Sequence, residues 1–337
     1  MLTSERYPYR IFLSYSREDF DYAARISDRL RTLKVKPVWD RDNSAGWPFL
    51  DQIKKRIAYS HLFIPLLTSQ SAQSSWVNHE IGYAIGRNVP VLPLSLGRLP
   101  EGMAAGVQAE SDEHIEGLLE RLTHERIDRL VRKAQSIAMY ECADLVEQRT
   151  EAIISCCNDV EAFISQWEQR LRHSAAFGSF SIPLEPDDPA WSARYHDQTP
   201  PSRHRIELLV SERRLLEEYA FRFGCDLVLY PSLSKFSKIA TNARVQILKC
   251  FLSRAHDVRA DVRVVFDDSV LGHNLLILGD WFLAESMTPK VDGYRHTTIT
   301  HHAPTVLKRL EEINLRFQRS DGMSAERAIH WLDDHFS

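Results

Sequence analysis

Much of this chain is defined by what is missing from it. Nowhere in its 337 residues does an apolar run approach the length of about 18 that a membrane-crossing helix needs, so no membrane partner is expected. Met1-Leu-Thr-Ser-Glu-Arg-Tyr-Pro8 has no apolar core of signal-peptide length, and a cytoplasmic location is the expectation. The cysteines, Cys142, Cys156, Cys157, Cys225 and Cys250, are odd in number and form no Cys-x-x-Cys pair. Reduced thiols, without a metal among them, are the simplest account. The formal charge of -4 argues against a general nucleic-acid-binding role and leaves a local basic patch open. Neither Gly-x-Gly-x-x-Gly nor Gly-x-x-x-x-Gly-Lys-Ser/Thr follows any expected strand, so the two common glycine-rich phosphate sites lack support. There is no obvious repeat and no low-complexity tract.

What remains is an ordinary soluble composition, 44% hydrophobic and 26% charged, long enough for two domains with their own cores. In the first part, strands and helices alternate. Arg10-Ile-Phe-Leu-Ser-Tyr-Ser16 reads as a buried strand, and Glu18-Asp19 introduce a helix carrying Phe20, Ala23, Ile26 and Leu30. Val35-Lys-Pro-Val-Trp-Asp40 is a second strand, followed by loop chemistry over 41–48 and a helix marked by Leu50, Ile53 and Ile57. Leu62-Phe-Ile-Pro-Leu-Leu67 is a third strand, with Pro65 awkward inside it, and Val89-Pro-Val-Leu-Pro-Leu94 a fourth. A last strand has only a weak candidate, near 106–109. This alternation predicts an α/β fold with a parallel sheet covered on both faces. In such sheets ligands sit beyond the carboxyl ends of the strands. That rule nominates Ser14 to Ser16, the loop 40–48 and the start of the helix after the third strand.

That helix is introduced by Ser71, Ser74 and Ser75 as N-cap candidates. Trp76 and Glu80 are four apart and share one of its faces. An indole beside a carboxylate suits a flat, cationic, sugar-bearing ligand. The competing reading is a core tryptophan with a solvent-facing glutamate one turn later.

The second half begins with helical composition over 112–172. A proline-rich segment, 178–202, reads as a linker, and a final α/β domain occupies 203–337. Thr300-His301-His302, with His296 nearby, has no carboxylate or cysteine at a convincing ligand spacing, and no metal site is expected.

Residues 8–125 resemble a TIR (Toll/interleukin-1 receptor) domain of the bacterial type. Ile11-Phe-Leu-Ser-Tyr-Ser16 with Arg17-Glu-Asp19 is similar to the family's opening motif. Val38-Trp-Asp-Arg-Asp42 through Gly46-Trp-Pro48 is similar to its second strand and following loop, and Ser74-Ser-Trp-Val-Asn-His-Glu80 to its Trp-x-x-x-Glu helix. The resemblance implies a flavodoxin-like parallel sheet and one of two activities, and the helical composition beyond it reads as a connector over 126–177. Many bacterial TIR domains cleave NAD+ between ribose and nicotinamide, releasing ADP-ribose or a cyclic form. Others are adaptors that act by protein–protein contact. For the enzymes it implies Glu80 as the catalytic residue, and a loop bordering the active site that here holds Asp40 and Trp47, with a solvated turn as the alternative for Asp40. Around them, Trp76 suits a pocket wall, Ser14 and Ser16 either donate to ligand hydroxyls or phosphates or cap the next helix, Tyr15 stacks or packs, and Phe12 is expected to pack. The resemblance also implies no cofactor besides NAD+ as substrate, homo-oligomeric assembly, and a role in antiviral defence controlled by the C-terminal domain.

A second resemblance covers less. Val262-Arg-Val-Val-Phe-Asp267 followed by His273-Asn-Leu-Leu-Ile-Leu-Gly-Asp280 is similar to half of a phospholipase D-like unit, whose motif is His-x-Lys-x-x-x-x-Asp. Leu275 stands where the phosphate-binding lysine belongs, and no apolar residue replaces a cation there. This implies a module that binds a signal ligand or protein trigger, or dimerises, with an unrelated α/β domain as the alternative.

Overall fold

The structure is a computed structural model. It describes residues 8–39, 49–71, 74–97, 106–136, 141–143, 146–159, 167–231, 236–268, 273–287, 296–320 and 322–336. Two compact units emerge: Met1–Met139 with His301–Lys308, and Tyr140–Thr300 with Arg309–Ser337.

The first unit runs β1 (Arg10–Ser14), α1 (Phe20–Thr32), β2 (Lys36–Val38), α2 (Phe49–Ala58), β3 (Leu62–Leu67), α3 (Ser75–Gly86), β4 (Leu94–Leu96), β5 (Glu110–Asp112), α4 (Ile115–Arg121) and α5 (His124–Gln135). Its sheet has the order β2-β1-β3-β4-β5 with every pair parallel. Successive side chains of β1 point to opposite faces. Ile11 and Leu13 join Ile26, Leu30, Leu118, Ile127 and Val131 on one side, while Phe12 joins Ile53, Ile57, Val77 and Ile81 on the other. Both faces are covered, so the strands are apolar at nearly every position.

Three expectations shift here. The fourth strand pairs only from Leu94, with a single earlier bridge from Phe63 to Val91, because Pro90 and Pro93 bring no N–H to the ladder. The last strand lies at Glu110–Asp112, just beyond the segment expected. The helix after residue 125, expected to open a connector, instead buries Ile127 and Val131 fully in the first core. Pro65, awkward for a strand, faces Ser14 at the last pair of the β1–β3 ladder, where one missing N–H removes least.

The second unit contains β6 (Glu141–Ala143), α6 (Val146–Asp159), β7 (Leu171–Ala175), α7 (Ala190–Arg194), α8 (Arg203–Phe223), β8 (Cys225–Leu229), α9 (Lys238–Asp257), β9 (Val262–Phe266), β10 (His273–Leu278), β11 (Phe282–Met287) and β12 (His296–Thr300). Then come α10 (Ala303–Arg319), whose first residues count with the first unit, β13 (Met323–Ser324) and α11 (Ala325–Phe336). Its sheet order is β13-β9-β8-β7-β10-β11-β12-β6. β7, β8 and β9 are parallel, and a hairpin begins at β10.

Helical composition was expected to continue to residue 172, but Leu171–Ala175 is a buried strand between β8 and β10. Nor is 178–202 a free linker. Phe180 and Trp191 are buried, and Ile182, Trp191 and Val210 form a small core of their own. Pro189 stands at the N-cap of α7, where a proline ring is tolerated, instead of marking a boundary.

Candidate active site

The site grows from two chain segments at the carboxyl ends of β1 and β3. Chain order reverses between these strands, because β2 lies on one side of β1 and β3 on the other. Such reversals leave a crevice in parallel sheets.

Ser74 starts α3. Its backbone is extended, and its hydroxyl accepts the Val77 N–H at 3.4 Å. Val77, Ile81 and Ala84 recur at helical spacing and pack on β1 and β3. Glu80 belongs to that buried stripe, with 5% of its surface exposed. A solvent-facing glutamate is therefore ruled out. Ser14 lies two residues after Phe12, so it faces α3. Its Oγ donates to Glu80 Oε2 at 2.5 Å.

These groups border a cavity of about 360 Å³, within the size range of small-molecule sites. One wall is residues 12–18, and the other is Ser74, Trp76 and Glu80. Trp76 is half-buried and also packs against the Phe12–Val77 core. Of the expected site residues, the structure thus brings Ser14, Tyr15, Ser16, Trp76 and Glu80 together. Asp40 and Trp47 lie outside the described residues.

The remaining side chains have definite tasks. The Tyr15 ring packs with Phe20 and Trp39, at 6.4 and 6.0 Å between centroids. Phe12 stacks on Phe63, as expected of a packing residue. Capping was one alternative for Ser14 and Ser16. Neither hydroxyl caps a helix: Ser14 serves Glu80, and Ser16 donates to the Glu18 carboxylate. That hydroxyl, with the Glu18 backbone N–H, holds the Glu18 carboxyl below its ordinary value.

Arg17 and Glu18 line the cavity too, and were not named as site residues. Their signals were a place in the opening motif and a position just after the strand end that nominated Ser14 to Ser16. The histidines weighed as ligands have other work. His301 stacks on Tyr59 at 4.3 Å, and His302 bonds Thr305 Oγ1 and the Asn88 carbonyl. Among the described residues, no group of three His, Cys, Asp or Glu is placed to hold a metal ion. Leu275 is buried, so its position offers no cation, and Asp280 follows in the turn after β10.

Residues 11–123 match the family model described as TIR domain, and this part of the chain is a TIR domain. One solved structure similar to it is the TIR domain of the Toll-related receptor TRR-2 from Hydra magnipapillata. The match has 18% identity, 36% coverage of this chain, 98% coverage of that one and a TM-score of 0.31. No curated protein matches the chain. No described helix is long and apolar enough to cross a membrane.

Proposed function

We propose that the TIR domain is an NAD+ nucleosidase that breaks the bond between ribose and nicotinamide. The observation that carries this reading is Glu80, a carboxylate on the apolar face of its helix that borders a cavity and takes a hydrogen bond from Ser14.

The chemistry asks little of the protein. The nicotinamide ring is cationic while attached through its nitrogen. When the C1′–N bond breaks, the electron pair leaves with the ring, which departs neutral, so no general acid is required. Positive charge develops on the ribose, as in glycoside cleavage. A fixed carboxylate stabilises that charge and accepts a ribose hydroxyl. Ser14 orients Glu80, and Trp76 walls the sugar and ring. Water adding to C1′ and losing a proton gives ADP-ribose; an adenine nitrogen adding there gives a cyclic product.

The same reading assigns control to the second unit, which senses a signal ligand or protein trigger and promotes homo-oligomeric assembly. It places the protein in bacterial antiviral defence. Support comes from the TIR fold joined to a second unit with its own large sheet. Assembly raises activity if it favours the competent arrangement of the site.

The test is incubation of purified protein with NAD+ over a concentration series, with products resolved by chromatography. Nicotinamide with ADP-ribose or its cyclic form is expected, with turnover per chain rising with concentration. Folded protein that releases no nicotinamide at any concentration, or after addition of lysate from infected cells, would favour a non-catalytic adaptor.

A further inference from the structure

Asp19 lies just after the cavity-lining residues and is not itself among them. Yet the residue is 3% exposed, low for an aspartate at a helix N-cap, and its side chain caps nothing. Instead Oδ2 accepts the Thr68 hydroxyl at 2.7 Å. Thr68 immediately follows β3. Its Oγ1 also accepts the backbone N–H groups of Gln70 and Ser71, each at 3.1 Å. In return, Ser71 Oγ accepts the Thr68 N–H at 2.7 Å. The Ser71 carbonyl then accepts the Ser74 N–H at 3.0 Å. Ser74 caps the helix that carries Trp76 and Glu80. An unbroken hydrogen-bonded path therefore leads from Asp19 to the start of α3.

We infer that Asp19 is a positioning residue for Glu80: by holding Thr68, it ties the connection between β3 and α3 to the loop after β1 and fixes where α3 begins. This inference rests on the proposed nucleosidase activity. Two cavity walls come from different segments, residues 12–18 and α3, and the Ser14–Glu80 bond spans them. Sliding one wall past the other would break that bond. The Asp19–Thr68 pair is a second tie near the first: it joins the residue that follows one wall to the end of β3, from which the chain leads to the N-cap of α3, and it is buried at both ends. Burial holds the Asp19 carboxyl above its ordinary value, and the Thr68 hydroxyl opposes that shift. Small displacements of a catalytic group have large kinetic consequences.

The experiment uses the full chain. Thr68→Val keeps the side-chain shape and removes the hydroxyl, Thr68→Ser keeps the hydroxyl, and Asp19→Ala removes the acceptor. Nicotinamide release is measured for each, alone and in a Glu80→Gln background, with amide hydrogen exchange over residues 74–80. Thr68→Val and Asp19→Ala should lower kcat roughly 10-fold with KM little changed, and Thr68→Ser should restore it. Neither should slow Glu80→Gln further, since a residue acting through Glu80 has nothing left to position. Exchange at the start of α3 should rise in Thr68→Val and not in Thr68→Ser. A full additional loss in the Glu80→Gln background would overturn the inference, as would unchanged exchange at α3 in Thr68→Val. Should Asp19→Ala not fold, the Thr68 pair decides alone. Absence of NAD+ cleavage by the wild type would reject the nucleosidase reading, while the exchange arm still tests the tie itself.

Discussion

Two buried carboxylates, Glu80 in the first unit and Asp226 in the second, have different surroundings. Asp226, fully buried on β8 of the second unit, is surrounded by guanidinium groups. Arg170 Nε donates to Oδ1 at 2.7 Å, and Arg263 grips both oxygens at 2.8 and 2.7 Å. Burial raises its pKa, and the Arg263 and Arg170 hydrogen bonds outweigh that effect and hold the carboxyl below its ordinary value. Glu80 instead receives a serine hydroxyl and borders a cavity. A carboxylate clasped by arginines stabilises a fold. One that lines a cavity beside an indole is placed to meet a ligand.

The largest test of this contrast is Asp226→Asn. Breaking a buried ion pair from one side costs about 3–5 kcal/mol, so urea unfolding should show a marked loss in the second unit. An unchanged midpoint would mean the guanidinium cluster does not depend on that charge.

A similar energy is expected from pH. His173 is enclosed on β7, accepts the Ser179 N–H at Nε2 and bonds the Leu275 carbonyl through Nδ1. Burial lowers its pKa from 6.5 to about 4. The unfolded chain therefore binds a proton that the folded one refuses. Stability is complete above pH 6.5 and is lost as pH falls from 6.5 to about 4, on the order of 3 kcal/mol in all. His61 in the first unit is shifted the same way by burial, then by Arg10 and His302, so its sign is the same. Comparing urea midpoints at pH 7.5 and 4.5 for the wild type and His173→Gln isolates the effect, because the variant should show a smaller loss. Equal losses would contradict it.

Smaller again is Ser14→Ala. Loss of the hydroxyl that holds Glu80 lets the carboxylate shift, so nicotinamide release should fall roughly 10-fold, with a modest drop in melting temperature for the one lost hydrogen bond. Unchanged kinetics would show that Ser14 does not orient Glu80.

How far the sequence revealed this arrangement varied with the physics involved. The parallel sheet was legible because strands covered on both faces are apolar throughout, as in Leu62-Phe-Ile-Pro-Leu-Leu67. The start of α3 was legible through Ser74. Burial of Glu80 was not argued from spacing, although Val77, Ile81 and Ala84 already enclosed it in one stripe. The chemistry proposed for it rests on family resemblance. The strand Leu171-Arg-His-Ser-Ala175 stayed hidden, because its buried polar residues read as surface ones and two of them find partners far along the chain. Arg172 reaches the Gly279 carbonyl and His173 the Leu275 carbonyl, both more than 100 residues away. The prolines of 178–202 suggested a boundary, but Phe180 and Trp191 draw that segment into a core. Local composition does not report such long-range burial.

The central claim is that Glu80 carries the chemistry and not the fold. Its most direct test is nicotinamide release by wild type and Glu80→Gln, measured beside thermal unfolding of both. Glutamine keeps the size of the side chain and removes its charge. The account predicts a loss of about 100-fold or more in turnover, the scale of losing a transition-state electrostatic contact, with a melting temperature close to that of the wild type. A folded Glu80→Gln protein that releases nicotinamide as fast as the wild type would contradict it.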